Sequence, residues 1–237
     1  MKSRELHRLV LRTQLREAQL RKRFIDPLTG TIGWDGDALD TACAYVGLLH
    51  AEIESTLEEI VGALLENART VTLRYQTHPI LMNCVLHYRA RLNGLAPELD
   101  IIPPKGVLKA DPLLLVKAWD DHVKAYFALM VKNNHGAGIK YMERMLHPLG
   151  VAVNEKTFKK LSGAGVLQIS SIHHIGMTEL MELASLRGVA MHGNSKDARV
   201  RLSVTTPQDI ASRGAMAVTC MRQVATLLAK TTWKCGR

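Results

Sequence analysis

Apolar residues recur along most of the chain at the three- and four-residue spacing of amphipathic helices, and no segment alternates as a half-buried strand does. The most extended example is the segment 37–67, which we predict to be one long helix. Its apolar face runs through Leu39, Tyr45, Leu49, Ile53, Leu57, Ile60 and Leu64. The pattern predicts an all-α fold, a bundle of helices without a sheet.

Proline, glycine and capping residues divide this pattern into helices. Asp111-Pro112 predicts the N-cap and first position of a helix that reaches about residue 133, and Thr206-Pro207 predicts the start of a last helix ending near 233. Other helices are expected at 3–23, 79–92, 139–150 and 155–163, and from about 172 into 183–195. Asp26-Pro27 and the glycines that follow predict a loop, so we expect a basic N-terminal helix or arm (1–25) followed by an all-α domain (37–233).

Composition narrows the class of protein. Hydrophobic residues make up 47% of the chain and charged residues 22%, which is typical of a globular protein. No uncharged apolar run is long enough to cross a membrane, and the basic N-terminus lacks the apolar stretch of a secretory signal. The four cysteines are scattered without a CxxC pair, which predicts neither disulfides nor a zinc site and favours the cytoplasm.

The positive charge of the chain is concentrated at its N-terminus. The net charge is +9, and residues 1–23 hold +6 of it, because eight lysines and arginines stand against two glutamates. Arg4, Arg8, Arg12 and Arg16 repeat every four residues, and such a row of like charges destabilises an isolated helix. Phosphate groups would remove this repulsion, so we expect the four arginines to bind RNA. The alternative is a solvated basic arm.

The segment LASLRGVAMHGNS, residues 183–195, contains the most promising chemistry. Gly193 predicts a helix C-terminus, and His192 then lies in the last turn, where the helix dipole favours its protonated form. Arg187 precedes it by five residues, and the residues around the pair are small, which leaves space for a ligand. An ordinary helix end is the alternative interpretation.

Arginine and histidine together suit RNA cleavage by internal transesterification. The ribose 2′-hydroxyl attacks the adjacent phosphorus, a histidine moves the proton, and a guanidinium stabilises the charge that develops on the phosphate oxygens. This reaction needs no cofactor and no metal. One histidine cannot easily serve both the attacking and the leaving oxygen, so two copies of the motif facing each other in a homodimer are expected to share the roles.

The same residues resemble a known family. LMELASLRGVAMHGN resembles the Arg-x4–6-His motif of HEPN-domain proteins, especially the RiboL-PSP-type branch, and two other stretches agree with it: YVGLLHAEIESTLEEIV and NNHGAGIKYMERMLHPLGV. The resemblance covers roughly residues 37–233. It implies a helical HEPN-type bundle and a metal-independent endoribonuclease with Arg187 and His192 as its catalytic pair. A toxin or phage-defence effector, restrained by an antitoxin or another regulatory protein, is one setting for such an enzyme.

Several other residues are candidates for a lesser role. Asn194 and Lys196 follow the motif and are expected to contact the RNA, although a polar loop is the alternative. Glu54 and Glu58 lie one turn apart on the long helix and either face the cleft or form part of a solvated face. Family members commonly carry a polar residue after the motif arginine, where this chain has Gly188. This departure leaves an inactive helical module that binds RNA or a protein as the alternative function.

Overall fold

The computed structural model describes residues 3–30, 36–89, 111–133, 139–151, 180–187 and 205–233. Of these, 91% are helical and none belongs to a strand, which confirms the predicted all-α fold. Within these ranges the helices are α1 (Ser3–Phe24), α2 (Gly36–Arg74), α3 (Pro79–Arg89), α4 (Pro112–Ala118), α5 (Lys124–Lys132), α6 (Ile139–Leu146), α7 (180–187) and α8 (Pro207–Trp233). No helix in the described part of the chain combines the length and apolar character that a membrane span needs.

The long helix α2 is the centre of the bundle. It packs against α1, α3, α4, α6 and α8, and its predicted apolar face is buried. The helix continues to Arg74, seven residues beyond the predicted end at residue 67. The reason is that Ala68 and Thr72 remain buried on the same face, and the Thr72 hydroxyl donates to the Ala68 carbonyl at 2.8 Å, so the chain keeps a packed surface after Asn67.

The first helix is part of this core. One face of α1 buries Leu6, Val10 and Leu20 against α2 and α8. Two buried hydrogen bonds join α1 to α2: one links the hydroxyls of Thr13 and Thr56 at 2.6 Å, and in the other the Tyr45 hydroxyl donates to Glu17 at 2.9 Å. The basic helix therefore packs against the bundle, and the division into 1–25 and 37–233 stays a prediction. Charge dominates the composition of α1, but its inner face is apolar or small enough to pack.

The last helix begins where the sequence predicts. The backbone N–H of Asp209 donates to the Thr206 hydroxyl oxygen at 3.1 Å, and the Asp209 carboxylate in turn accepts from the Thr206 backbone N–H at 3.1 Å. This reciprocal pair satisfies donors that a helix N-terminus otherwise leaves open. Farther along α8, Gly214 lies directly over Tyr45, because a Cβ atom there would overlap the Tyr45 hydroxyl. The glycine therefore permits close approach of α8 to α2.

The segment predicted as one helix after Asp111 is helical throughout, but it changes from an α-helix to a π-helical turn and back. The backbone N–H of Leu113 donates to the Asp111 carboxylate at 2.8 Å, which confirms the predicted N-cap. A π-helical turn, Trp119–Val123, separates α4 from α5. Arg69 of α2 holds this turn, since its guanidinium donates two hydrogen bonds of 2.7 Å to the Asp120 carboxylate.

Candidate functional site

Three polar side chains interrupt the middle of α2, spaced one helical turn apart: His50, Glu54 and Glu58, called here the α2 polar row. His50 is 1% exposed, and its Nδ1 lies 3.8 Å from a carboxylate oxygen of Glu54, whose side chain is 16% exposed. Glu58 accepts a 2.6 Å hydrogen bond from the Tyr141 hydroxyl of α6. Glu54 and Glu58 are therefore partly buried and engaged within the bundle, and the solvated-face interpretation does not fit them.

Arg187 lies near this row. It is the last described residue of α7, it is partly buried, and its positive charge acts on His50. Burial lowers the pKa of His50 to about 4, Glu54 opposes the shift, and Arg187 adds to it. His50 is consequently neutral at neutral pH, and the arginine of the motif shares one region of the fold with the centre of α2.

Tyr141 completes the described part of this region. Burial, the hydrogen bond to Glu58 and the charges of Glu58 and Glu54 all raise the pKa of the phenol. Tyr141 therefore remains protonated and acts as a hydrogen-bond donor. The cluster offers one guanidinium, two carboxylates, a neutral imidazole and a phenol, and the guanidinium of Arg187 is the group among them that suits a phosphate ester.

The other predicted residues of this segment, His192, Asn194 and Lys196, lie outside the described residues, so their roles stay predictions.

Sequence reasoning missed His50 and Tyr141. His50 precedes Glu54 by one turn on an otherwise apolar face, and this spacing was the available signal. Nothing in the sequence pairs Tyr141 with Glu58, because the contact joins two different helices.

The four arginines of α1 do not act as one row. Arg12 forms a bidentate pair with Glu59 of α2, at 2.9 and 2.8 Å, with Glu52 3.6 Å away. Arg16 donates to Gln19 at 3.4 Å, whereas Arg4 and Arg8 line a groove. Each four-residue step advances about 40° beyond a full helical turn, so the row winds around α1 and turns Arg12 toward α2. Arg12 is therefore paired with a carboxylate of α2, and its role at the RNA stays a prediction.

Comparison of the chain with protein-family models, with curated proteins and with solved structures gave no match. Across the described ranges, no group of three or more histidine, cysteine or acidic side chains is arranged to hold a metal ion.

Proposed function

We propose that this protein is a metal-independent endoribonuclease in which Arg187 and His192 form the catalytic pair. The observation that carries the proposal is that the charge of Arg187 acts on the buried His50, whose Nδ1 lies 3.8 Å from a carboxylate oxygen of Glu54. Arg187 and His50 belong to two of the three stretches of sequence that resemble HEPN-domain proteins, and they are distant along the chain. The effect of the Arg187 charge on His50 supports a shared site more strongly than either stretch does alone.

The chemistry follows from the residue types. The 2′-oxygen of a ribose attacks the adjacent phosphorus as His192 accepts the hydroxyl proton, the bond from phosphorus to the 5′-oxygen breaks, and a proton is returned to that leaving oxygen. The products are a 2′,3′-cyclic phosphate and a free 5′-hydroxyl. Arg187 stabilises the negative charge on the non-bridging oxygens.

A twofold dimer is part of the proposal, because proton removal and proton return are better divided between two histidines. The site would then include both copies of the 187–192 segment. Cellular RNA must be protected from such an enzyme, so an antitoxin or other regulatory protein in the cytoplasm is the partner that the proposal implies. Light scattering tests the dimer, and full activity from a monomer would overturn the shared site.

Cleavage of a mixed RNA pool in EDTA tests the reaction itself. The wild-type protein should produce fragments with 2′,3′-cyclic phosphate ends. His192→Ala should lower the rate by about 10²–10⁴, the usual contribution of a positioned acid–base group. Arg187→Ala should lower it by about 10²–10³ through lost charge stabilisation.

Arg74→Ala is the matched control, because Arg74 is an exposed arginine at the end of α2. It should cleave at the wild-type rate. The proposal fails if EDTA abolishes cleavage or if either motif variant keeps full activity. RNA binding without any cleavage would favour the inactive binding module.

A further inference from the structure

A groove runs along α1 where this helix meets α8. Its inner part has a volume of about 220 Å³, and its outer part, of about 280 Å³, reaches toward the start of α1. The two parts share His7 and Leu11, so they form one continuous depression, called here the α1–α8 groove. The side chains that line it and that matter for binding are Arg4, Arg8, Leu11, Gln14 and Arg222.

The rim of the α1–α8 groove is positively charged. Arg4 and Arg8 stand on α1, Arg222 stands on α8, and none of the described residues that line the groove is acidic. Within the described ranges no carboxylate forms an ion pair with any of these three arginines, whereas Arg12 and Arg21 of α1 are both paired. The groove therefore holds three arginines that remain available to an anionic ligand.

The floor of the groove is apolar and partly open to solvent. Val10 and Ala225 are buried beneath it, and Leu11 is 53% exposed at its edge. A surface with cations along its rim and an apolar base matches a single nucleic-acid strand, which presents phosphates on one side and the flat faces of its bases on the other. Duplex would present only its phosphates to such a shallow surface.

We propose that the α1–α8 groove binds a single-stranded segment of the RNA, with Arg4, Arg8 and Arg222 contacting its phosphates. Arg4 and Arg8 are one turn apart, about 6 Å along the helix, so they follow the direction of a strand laid along α1. An acidic amphipathic helix is the competing ligand. It needs a row of apolar pockets at helical spacing, and Leu11 is the sole exposed large apolar residue among the described lining residues.

This inference rests on the proposed function, since it concerns how the same RNA is held, but its test does not depend on cleavage. The probe is a fluorescent oligouridine of about 15 nucleotides with 2′-O-methyl groups, which lacks the attacking hydroxyl and cannot be cut. Fluorescence anisotropy of the full-length protein gives the Kd over a range of salt concentrations. Arg8→Gln and Arg222→Gln are the test variants, and Arg74→Gln is the matched control with the same charge change at an exposed arginine outside the groove.

Each lost phosphate contact should reduce the slope of log K against log salt by about 0.7, which raises the Kd about fourfold near 0.15 M salt. Arg8→Gln and Arg222→Gln should both show this loss, Arg222→Lys should restore most of the binding, and Arg74→Gln should retain the wild-type slope. In an Arg187→Ala background, which cleaves slowly, the losses caused by Arg8→Gln and Arg222→Gln should be the same as in the wild-type background. A loss of cleavage alone would therefore contradict the proposed ribonuclease but not RNA binding in the α1–α8 groove. A loss of binding in the groove alone would contradict this inference but not the proposed ribonuclease.

Three results would overturn the inference. The first is a wild-type Kd and slope for both Arg8→Gln and Arg222→Gln. The second is an equal loss in Arg74→Gln, because binding would then follow net charge alone. The third is displacement of the RNA by polyglutamate at an equal concentration of charge, with the same dependence on Arg222, which would identify an acidic protein as the ligand.

Discussion

Gly214 and Gly62 are both glycines within long helices, but alanine should have opposite effects at the two positions. Gly62 is exposed on α2, and an added Cβ would have no neighbour within 4 Å. Alanine is the better helix former, so Gly62→Ala should stabilise the protein by about 0.5–1 kcal/mol. At Gly214 of α8 an added Cβ would overlap the Tyr45 hydroxyl and approach Leu49 Cδ2 to 2.9 Å.

The cost at Gly214 has two parts. Overpacking a core costs about 1–3 kcal/mol. Displacing the Tyr45 ring also breaks its 2.9 Å hydrogen bond to the Glu17 carboxylate, and a hydrogen bond to a charged group contributes about 1.5–3 kcal/mol. After subtraction of the same helix-forming gain, Gly214→Ala should lower the free energy of unfolding by about 2–5 kcal/mol.

Thermal unfolding followed by circular dichroism measures both changes. For a chain of this size 1 kcal/mol corresponds to about 2–4 °C in Tm, so Gly214→Ala should lower Tm by roughly 4–20 °C and Gly62→Ala should raise it by roughly 1–4 °C. If Gly214→Ala raises Tm as Gly62→Ala does, α8 does not approach α2 at Tyr45 and the reasoning fails. Chemical denaturation should give the same order of the three proteins.

Two further predictions concern His50 and the start of α8. The pKa of His50 is about 4 in the folded protein and about 6.5 in the unfolded chain, so the unfolded state binds more protons between these values. Stability should therefore fall by up to about 3 kcal/mol as pH decreases from 6.5 to 4, and His50→Gln should flatten a plot of Tm against pH in this window; an unchanged plot would contradict the burial of His50. Thr206→Ala removes the N-cap of α8 and should cost about 1 kcal/mol, or about 2–4 °C in Tm, and no loss of Tm would mean that water replaces the cap.

One part of the candidate site can be predicted from the sequence, and another part cannot. Arg187 stands out in the sequence because an arginine, small residues and a histidine occur together at a helix end. Its nearness to His50 and the bond between Tyr141 and Glu58 join residues that are far apart along the chain. Contacts of this kind depend on how helices cross, and one sequence without its packing does not specify the crossings.

Within the described ranges the sequence by itself determined where the helices lie, because helical periodicity, Asp111-Pro112 and Thr206-Pro207 act through neighbours within a few residues. The helices predicted at 155–163 and at 172–179 lie outside those ranges and stay predictions. Only the tertiary structure decided what the basic first helix and its arginines contact. Its buried face packs against α2 and α8, and Arg12 pairs with Glu59. Arg4 and Arg8 line one groove together with Arg222. The physical reason is that the charge of an arginine is a property of the residue, but its partner is set by whichever helix packs beside it.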